Sequence, residues 1–150
     1  MKNIFKKGDY KVYKKIVLPE DQATFHGEVL HPVCSTFALA RDMEWSSRLF
    51  FIDLKETDEE GVGTYLEIQH RAPAFVGEEL TITAIVDSIK DNELMCSIEV
   101  KQNERLIAIG KTGQRMLKKE RLNHIFAPPT SPLPVRQAGL PSPNGGANKD

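Results

Sequence analysis

The sequence predicts an α+β domain in which one long helix packs against a largely antiparallel sheet. Three observations predict it. The stretch "STFALARDMEWSSRLFF" carries Leu39, Met43, Ser46 and Phe50 at helical spacing, which puts them on one face. Four later runs, "VGTYLEIQH", "ELTITAIVDSIK", "LMCSIEVKQ" and "RLIAIGKTGQRML", are rich in β-branched or alternating apolar residues, as strands are. Asp91-Asn92 and Asn103-Glu104 separate the last three runs and fit tight hairpin connections, so neighbouring strands run antiparallel.

Before the helix, residues 11 to 18 alternate Val12, Tyr13, Ile16 and Leu18 imperfectly and stop at Pro19, which predicts a first strand. A loop containing Gly27 and Pro32 then leads to Ser35 or Thr36, either of which can cap the free N–H groups of the first helical turn. An acidic turn, "KETDEEG", follows the helix. Residues 1 to 126 form one domain on this reading. From residue 127 the composition changes: "APPTSPLPVRQAGLPSPNGGANKD" holds six of the nine prolines, and the segment 127–150 is expected to be disordered.

With 150 residues, 40% of them hydrophobic, the chain is long enough for one domain with a core and short for two. The basic residues near the N-terminus are balanced further on, to a net charge of −1, so nothing points to a nucleic-acid surface. No apolar run approaches the length of a membrane span, and the first residues lack the apolar region of a signal peptide. A cytoplasmic protein is expected. Cys34 and Cys96 lie far apart and suggest neither a disulfide framework nor a zinc site. No metal cluster, glycine-rich phosphate loop or redox cofactor is indicated.

Glu44 stands between Met43 and the only tryptophan, Trp45. A carboxylate held among apolar neighbours has its charged form destabilised and moves toward the range where acid–base work is efficient. His70 closes a strand-like run just before "RAPAFVG", a position where a cleft can open. Thr36 lies at the helix start, where the default role of a hydroxyl is capping.

The segments "STFALARDMEW", with Thr36 and Glu44, and "GTYLEIQHRAPAFVGEELTITA", with Gly63, His70, Pro73 and Gly77, resemble the fluoroacetyl-CoA thioesterase type of hot-dog protein. The likeness extends over roughly residues 8 to 120 and includes "RMLKKERLNH". It implies a hot-dog fold, an antiparallel sheet wrapped around one long central helix, and acyl-CoA thioesterase activity with Thr36, Glu44 and His70 as the catalytic set. It also implies substrate contacts at Leu30, Gly63, Arg71, Arg115 and Lys118, with Arg71, Lys118, Lys119 and Arg121 available for the phosphates. Coenzyme A enters as part of the substrate. A homodimer, or a dimer of dimers, is implied as well, with sites at the subunit interface.

Two consequences follow from the residues themselves. Eight residues of helix rise about 12 Å, so Thr36 and Glu44 cannot easily touch one atom, and substrate, His70 or a second subunit must bridge the gap. In the fluoroacetyl-CoA-specific type, phenylalanines before the threonine close a small pocket; here Leu30 and Gly27 take those positions, and a more open pocket is expected. Two rival classes are a hot-dog hydratase, whose Asp and His pair in one short segment has no counterpart here, and a noncatalytic acyl-CoA-binding module.

Overall fold

The structure is a computed structural model that describes residues 1–129. The expected disorder of the tail falls, from residue 130 onward, outside the described residues. Strand β1 (Tyr10–Ile16) leads through one 3₁₀ turn (Pro19–Asp21) to a two-stranded hairpin, β2 (Gln22–Phe25) and β3 (Glu28–Cys34). Helix α1 (Thr36–Leu54) follows, then β4 (Glu59–His70), β5 (Glu79–Lys90), β6 (Glu93–Gln102), β7 (Arg105–Lys118) and the short α2 (Lys119–Ile125). The five long strands form one antiparallel sheet in the order β1-β5-β6-β7-β4.

The core lies between α1 and the sheet. Leu39, Met43, Ser46 and Phe50, the predicted face, are fully buried together with Phe51 and Leu54. The sheet answers with Ile82, Ala84, Leu94, Val100 and Ile107. Each fully buried Ile, Leu or Val among them contributes about 1.5–3 kcal/mol relative to exposure. Asp91 and Asn103 adopt the left-handed backbone (φ 56° for both) at the two predicted hairpin turns, a conformation that Asn and Asp tolerate better than most residues.

Two elements differ from expectation. The stretch read as a loop before the helix is the β2–β3 hairpin, turning at His26 and Gly27 with φ of 52° and 79°. Its strands are short, irregular in register and mostly exposed, so they leave little periodic apolar signal. Residues 119–125, beyond the last run read as a strand, form α2, which buries only Leu122.

The helix start is tied down by charge. Lys15 on β1 meets Asp21 at 3.1 Å and Asp42 at 2.8 Å, and Arg41 meets the same two carboxylates at 3.0 and 3.1 Å. Both aspartates are buried. Burial pushes the Asp21 carboxyl up, but the Leu18 N–H, Arg41 and Lys15 outweigh it and hold the group below its ordinary 3.8. For Lys15, burial lowers and the two aspartates raise, leaving the amine above 10.5. The Asp21 contribution is therefore present above pH 3.8 and lost as pH falls through its lower native value; that of Lys15 is present below pH 10.5 and lost as pH rises through its higher one. Denaturant midpoints should fall on the acid side as Asp21 protonates, and on the alkaline side from above pH 9.0, where the thiols of Cys34 and Cys96 ionise in the unfolded chain before the Lys15 contribution is lost. Asp21→Ala should flatten the acid limb and destabilise the fold by about 2 kcal/mol at neutral pH, because it leaves Lys15 and Arg41 with Asp42 alone and removes the acceptor of the Leu18 N–H; an unchanged midpoint would show that the cluster is only surface decoration.

Candidate active site

Ser35 is the N-cap of α1: its Oγ accepts the Ala38 N–H at 3.0 Å, while the Leu39 N–H reaches Ser35 O. The capping role open to either residue thus falls to Ser35, and the hydroxyl of Thr36 is available for another partner. That partner is His70: Thr36 Oγ1 lies 2.9 Å from His70 Nδ1, joining the first residue of α1 to the last residue of β4. When Thr36 donates to Nδ1, the neutral ring carries its proton on Nε2. Nε2 is buried and has no partner among the described residues. The backbone N–H groups of Thr36 and Phe37, in the first helical turn, have no intrahelical acceptor.

Glu44 is placed differently. Its carboxylate lies on the backbone of Gly63 in β4, so close that a Cβ at that position would fall 2.0 Å from Oε1. Only glycine admits the carboxylate there. Met43 is fully buried in the core and Trp45 is 40% exposed, each about 100° round the helix from Glu44. The neighbours in sequence therefore do not enclose the carboxylate; the strand does. A β-bulge follows Gly63, where Thr64 is skipped between the pairs Gly63–Gln114 and Tyr65–Gly113, and such a bulge re-aims the strand locally.

The structure thus brings Thr36 to His70 and Glu44 to Gly63, as two separate groups on one strand. No hydrogen bond joins the Glu44 carboxylate to Thr36 or His70 among the described residues. Seven residues of strand separate Gly63 from His70, about 23 Å. Beside His70, Val33, Arg71, Ala72 and Pro73 line a cavity of about 290 Å³. The loop after His70 is held by Gln102, whose amide takes the Phe75 N–H and gives to Phe75 O, and by Arg105, which donates to Pro73 O.

Of the other residues singled out in the sequence, Leu30 lies on β3, 55% exposed. Gly27 is at the tip of its hairpin. Arg115 points away from the buried side of β7 and pairs with Glu93, while Lys118 pairs with Asp58 at the end of β4 remote from His70. Lys118, Arg121 and His124 line a cavity of about 690 Å³ along α2. Cys34 is buried, and burial first, then Asp21 and Asp42, push its thiol up to about 11, which removes it as a nucleophile at neutral pH. Three features escaped the sequence reading. Phe25 and Phe37, both exposed, flank a cavity of about 360 Å³ beside Ser35 and Arg41, and Gln114 lies buried beneath Glu44. No spacing marked them. Among the described residues no cluster of three or more His, Cys, Asp or Glu could hold a metal ion, and no helix is long and apolar enough to cross a membrane.

Comparison with known proteins agrees with this architecture. A hypothetical protein of Thermus thermophilus described as a thioesterase superfamily member superposes with a TM-score of 0.77 at 28% identity, over 81% of this chain and 90% of that one. The fluoroacetyl-CoA thioesterase FlK gives 0.76 at 18% identity, over 84% and 100%. A hot-dog-like protein of Thermanaerovibrio acidaminovorans gives 0.73 at 22%, over 83% and 96%. A phenylalanine-to-alanine mutant of FlK has been solved in complex with fluoroacetate and CoA. A search of the curated proteins returned no match. Residues 17–120 match the family described as FlK, fluoroacetyl-CoA-specific thioesterase; the chain has the hot-dog fold and belongs to this family of thioester hydrolases.

Proposed function

We propose that the protein hydrolyses short or medium acyl-CoA thioesters at a site shared between two subunits. The observation that carries the reading is the division of the catalytic set into two half-sites on one edge strand. β4 closes the sheet, with Tyr65 and Leu66 exposed along it, and an unpaired edge invites a second strand. Antiparallel pairing with a second copy, centred between Leu66 and Glu67, sets Gly63 beside the partner's His70. A separation of about 23 Å then shrinks to the roughly 5 Å between paired strands. Glu44 of one subunit and the Thr36–His70 pair of the other come to face one thioester.

In this site Glu44 takes a proton from water, and the oxygen bonds to the acyl carbon. The N–H groups of Thr36 and Phe37 receive the developing oxyanion. The C–S bond breaks, and His70, entering the step as the imidazolium with its Nδ1–H donated to Thr36 Oγ1, passes its Nε2 proton to the leaving sulfur and becomes neutral, giving free acid and CoA. Glu44 then returns its proton to the imidazole. Lys118 and Arg121 at α2, about four residues of strand beyond Gly63, suit the CoA phosphates. The free thiols of buried Cys34 and Cys96 suit the reducing cytoplasm, where this reading places the enzyme.

Glu44→Gln and His70→Ala should each slow hydrolysis by at least about 100-fold without unfolding the protein. Mixing the two variants after dissociation provides the sharper test. A heterodimer then holds one intact composite site, so a statistical mixture should recover about a quarter of wild-type turnover. Recovery of nothing, or a folded and active monomer in light scattering, would refute the shared site.

Gly63→Ala should lower kcat by about ten-fold or more while leaving Tm within a few degrees, because the new methyl displaces a half-buried carboxylate rather than a core side chain. Unchanged kcat would separate Glu44 from the chemistry.

The acyl pocket is open where Leu30 and Gly27 stand. Leucine covers less area than phenylalanine and glycine covers none, so butyryl- and phenylacetyl-CoA should be accepted along with acetyl-CoA. Comparing kcat/KM for these and fluoroacetyl-CoA decides the matter: a preference of several orders of magnitude for fluoroacetyl-CoA would overturn the argument.

A further inference from the structure

Beneath Glu44 lies a buried polar network that thioester hydrolysis, as described above, does not use. Ser47, Thr112 and Gln114 are each about 1% exposed or less. Thr112 Oγ1 donates to Ser47 Oγ at 2.8 Å, and Ser47 Oγ donates to Glu44 O at 2.9 Å. Gln114 Nε2 donates to Ser47 Oγ at 2.9 Å and to Glu44 O at 3.2 Å. The carbonyl of Glu44 can only accept, so it fixes which end of the Gln114 amide faces the helix. Oε1 must point the other way. That oxygen is buried and unpartnered among the described residues, an arrangement that costs stability and that folded proteins rarely keep without a reason.

The position of the orphan acceptor supplies the reason. Gln114 is the cross-strand partner of Gly63, and the Glu44 carboxylate rests on Gly63. An ionised carboxylate offers no proton to Oε1, whereas a protonated one does. We propose that Gln114 is a positioning residue for Glu44: its Nε2 holds the helical turn that carries the carboxyl group, and its Oε1 accepts the O–H of Glu44 in the state formed after proton abstraction. The inference rests on Glu44 acting as the base. The charged groups that neighbouring elements carry toward this region are Arg48 of α1 and Glu60 of β4, bonded to each other at 2.8 Å, with His70 at the far end of β4. Arg115, adjacent to Gln114, lies on the opposite face. None duplicates the acceptor.

The test is Gln114→Met, which keeps length and removes the amide, with Gln114→Asn, which keeps the amide and withdraws it, as the second variant should the first fail to fold. Expected are a fall in kcat of about ten-fold with KM within about three-fold. The acidic limb of the pH–kcat profile should move to lower pH by about one unit, because the protonated form of Glu44 has lost its partner. The ¹³C carboxyl resonance of Glu44, followed over pH in wild type and variant, reports the same loss without turnover. If Glu44→Gln retains activity, the base reading fails while the resonance still decides the contact. A fall in kcat with the profile and resonance unmoved, or no change at all, would overturn the role of Gln114.

Discussion

The contact on which the site depends is that between the Glu44 carboxylate and the bare Cα of Gly63. It is possible because α1 descends onto β4 at positions without side chains. Two turns further along, the ring of Phe51 occupies the space that a Cβ on Gly61 would fill, 2.3 Å from the nearest ring carbon. The missing side chain of Gly61 thus lets the helix come close to the edge strand, and that of Gly63 leaves room for the Glu44 carboxylate. Interiors are packed too tightly for such a gap to be made good elsewhere. The close approach fixes the depth of Glu44, and the bulge at Thr64 bends the strand next to it.

A second constraint holds the other end of the helix. The Lys15–Asp21–Asp42–Arg41 cluster ties β1, the 3₁₀ turn and α1 together, and Ser35 N–H bonds Asp21 O in the same region. Two buried carboxylates facing two cations gain little net stability over an apolar core. What they fix is geometry, since the helix can enter along only one line if both aspartates are to keep their partners. Thr36 then starts the helix at the right height to meet His70 at 2.9 Å.

The helix, the last three strands and their two turns were legible because period 3.6 and period 2 patterns survive wherever one face is buried and the other is not. The β2–β3 hairpin was not legible, since both faces of it are largely exposed and the 180° period has nothing to mark. Thr36 and His70 were marked by the resemblance of their segments to a known family, and the structure brings them together. Placing Glu44 between Met43 and Trp45 as enclosing neighbours was a reading of sequence adjacency, and adjacency on a helix means a rotation of about 100°. The true neighbour, Gly63, stands nineteen positions away in the chain and has no side chain to signal with. Gln114 was invisible for a related reason: a polar residue in a strand of alternating character reads as solvent-facing, unless the partner across the sheet is known to be a glycine beneath a carboxylate.

This pattern bears on how such a site can change its acyl preference without losing its chemistry. On the proposed mechanism, the groups that handle protons are set by the sheet and by α1: Glu44 on Gly63, Gln114 on the Glu44 carbonyl, His70 on Thr36. The groups proposed to border the acyl space come from the β2–β3 hairpin and the first turn of the helix, where Phe25, Val29, Leu30 and Phe37 are all more than half exposed. A substitution among the latter alters pocket shape at little cost in stability, because exposed positions lose few contacts. One among the former moves a charged or proton-bearing group held by buried polar bonds. The fold therefore separates what is cut from how it is cut, assigning the first to a thin hairpin and the second to the junction of helix and edge strand.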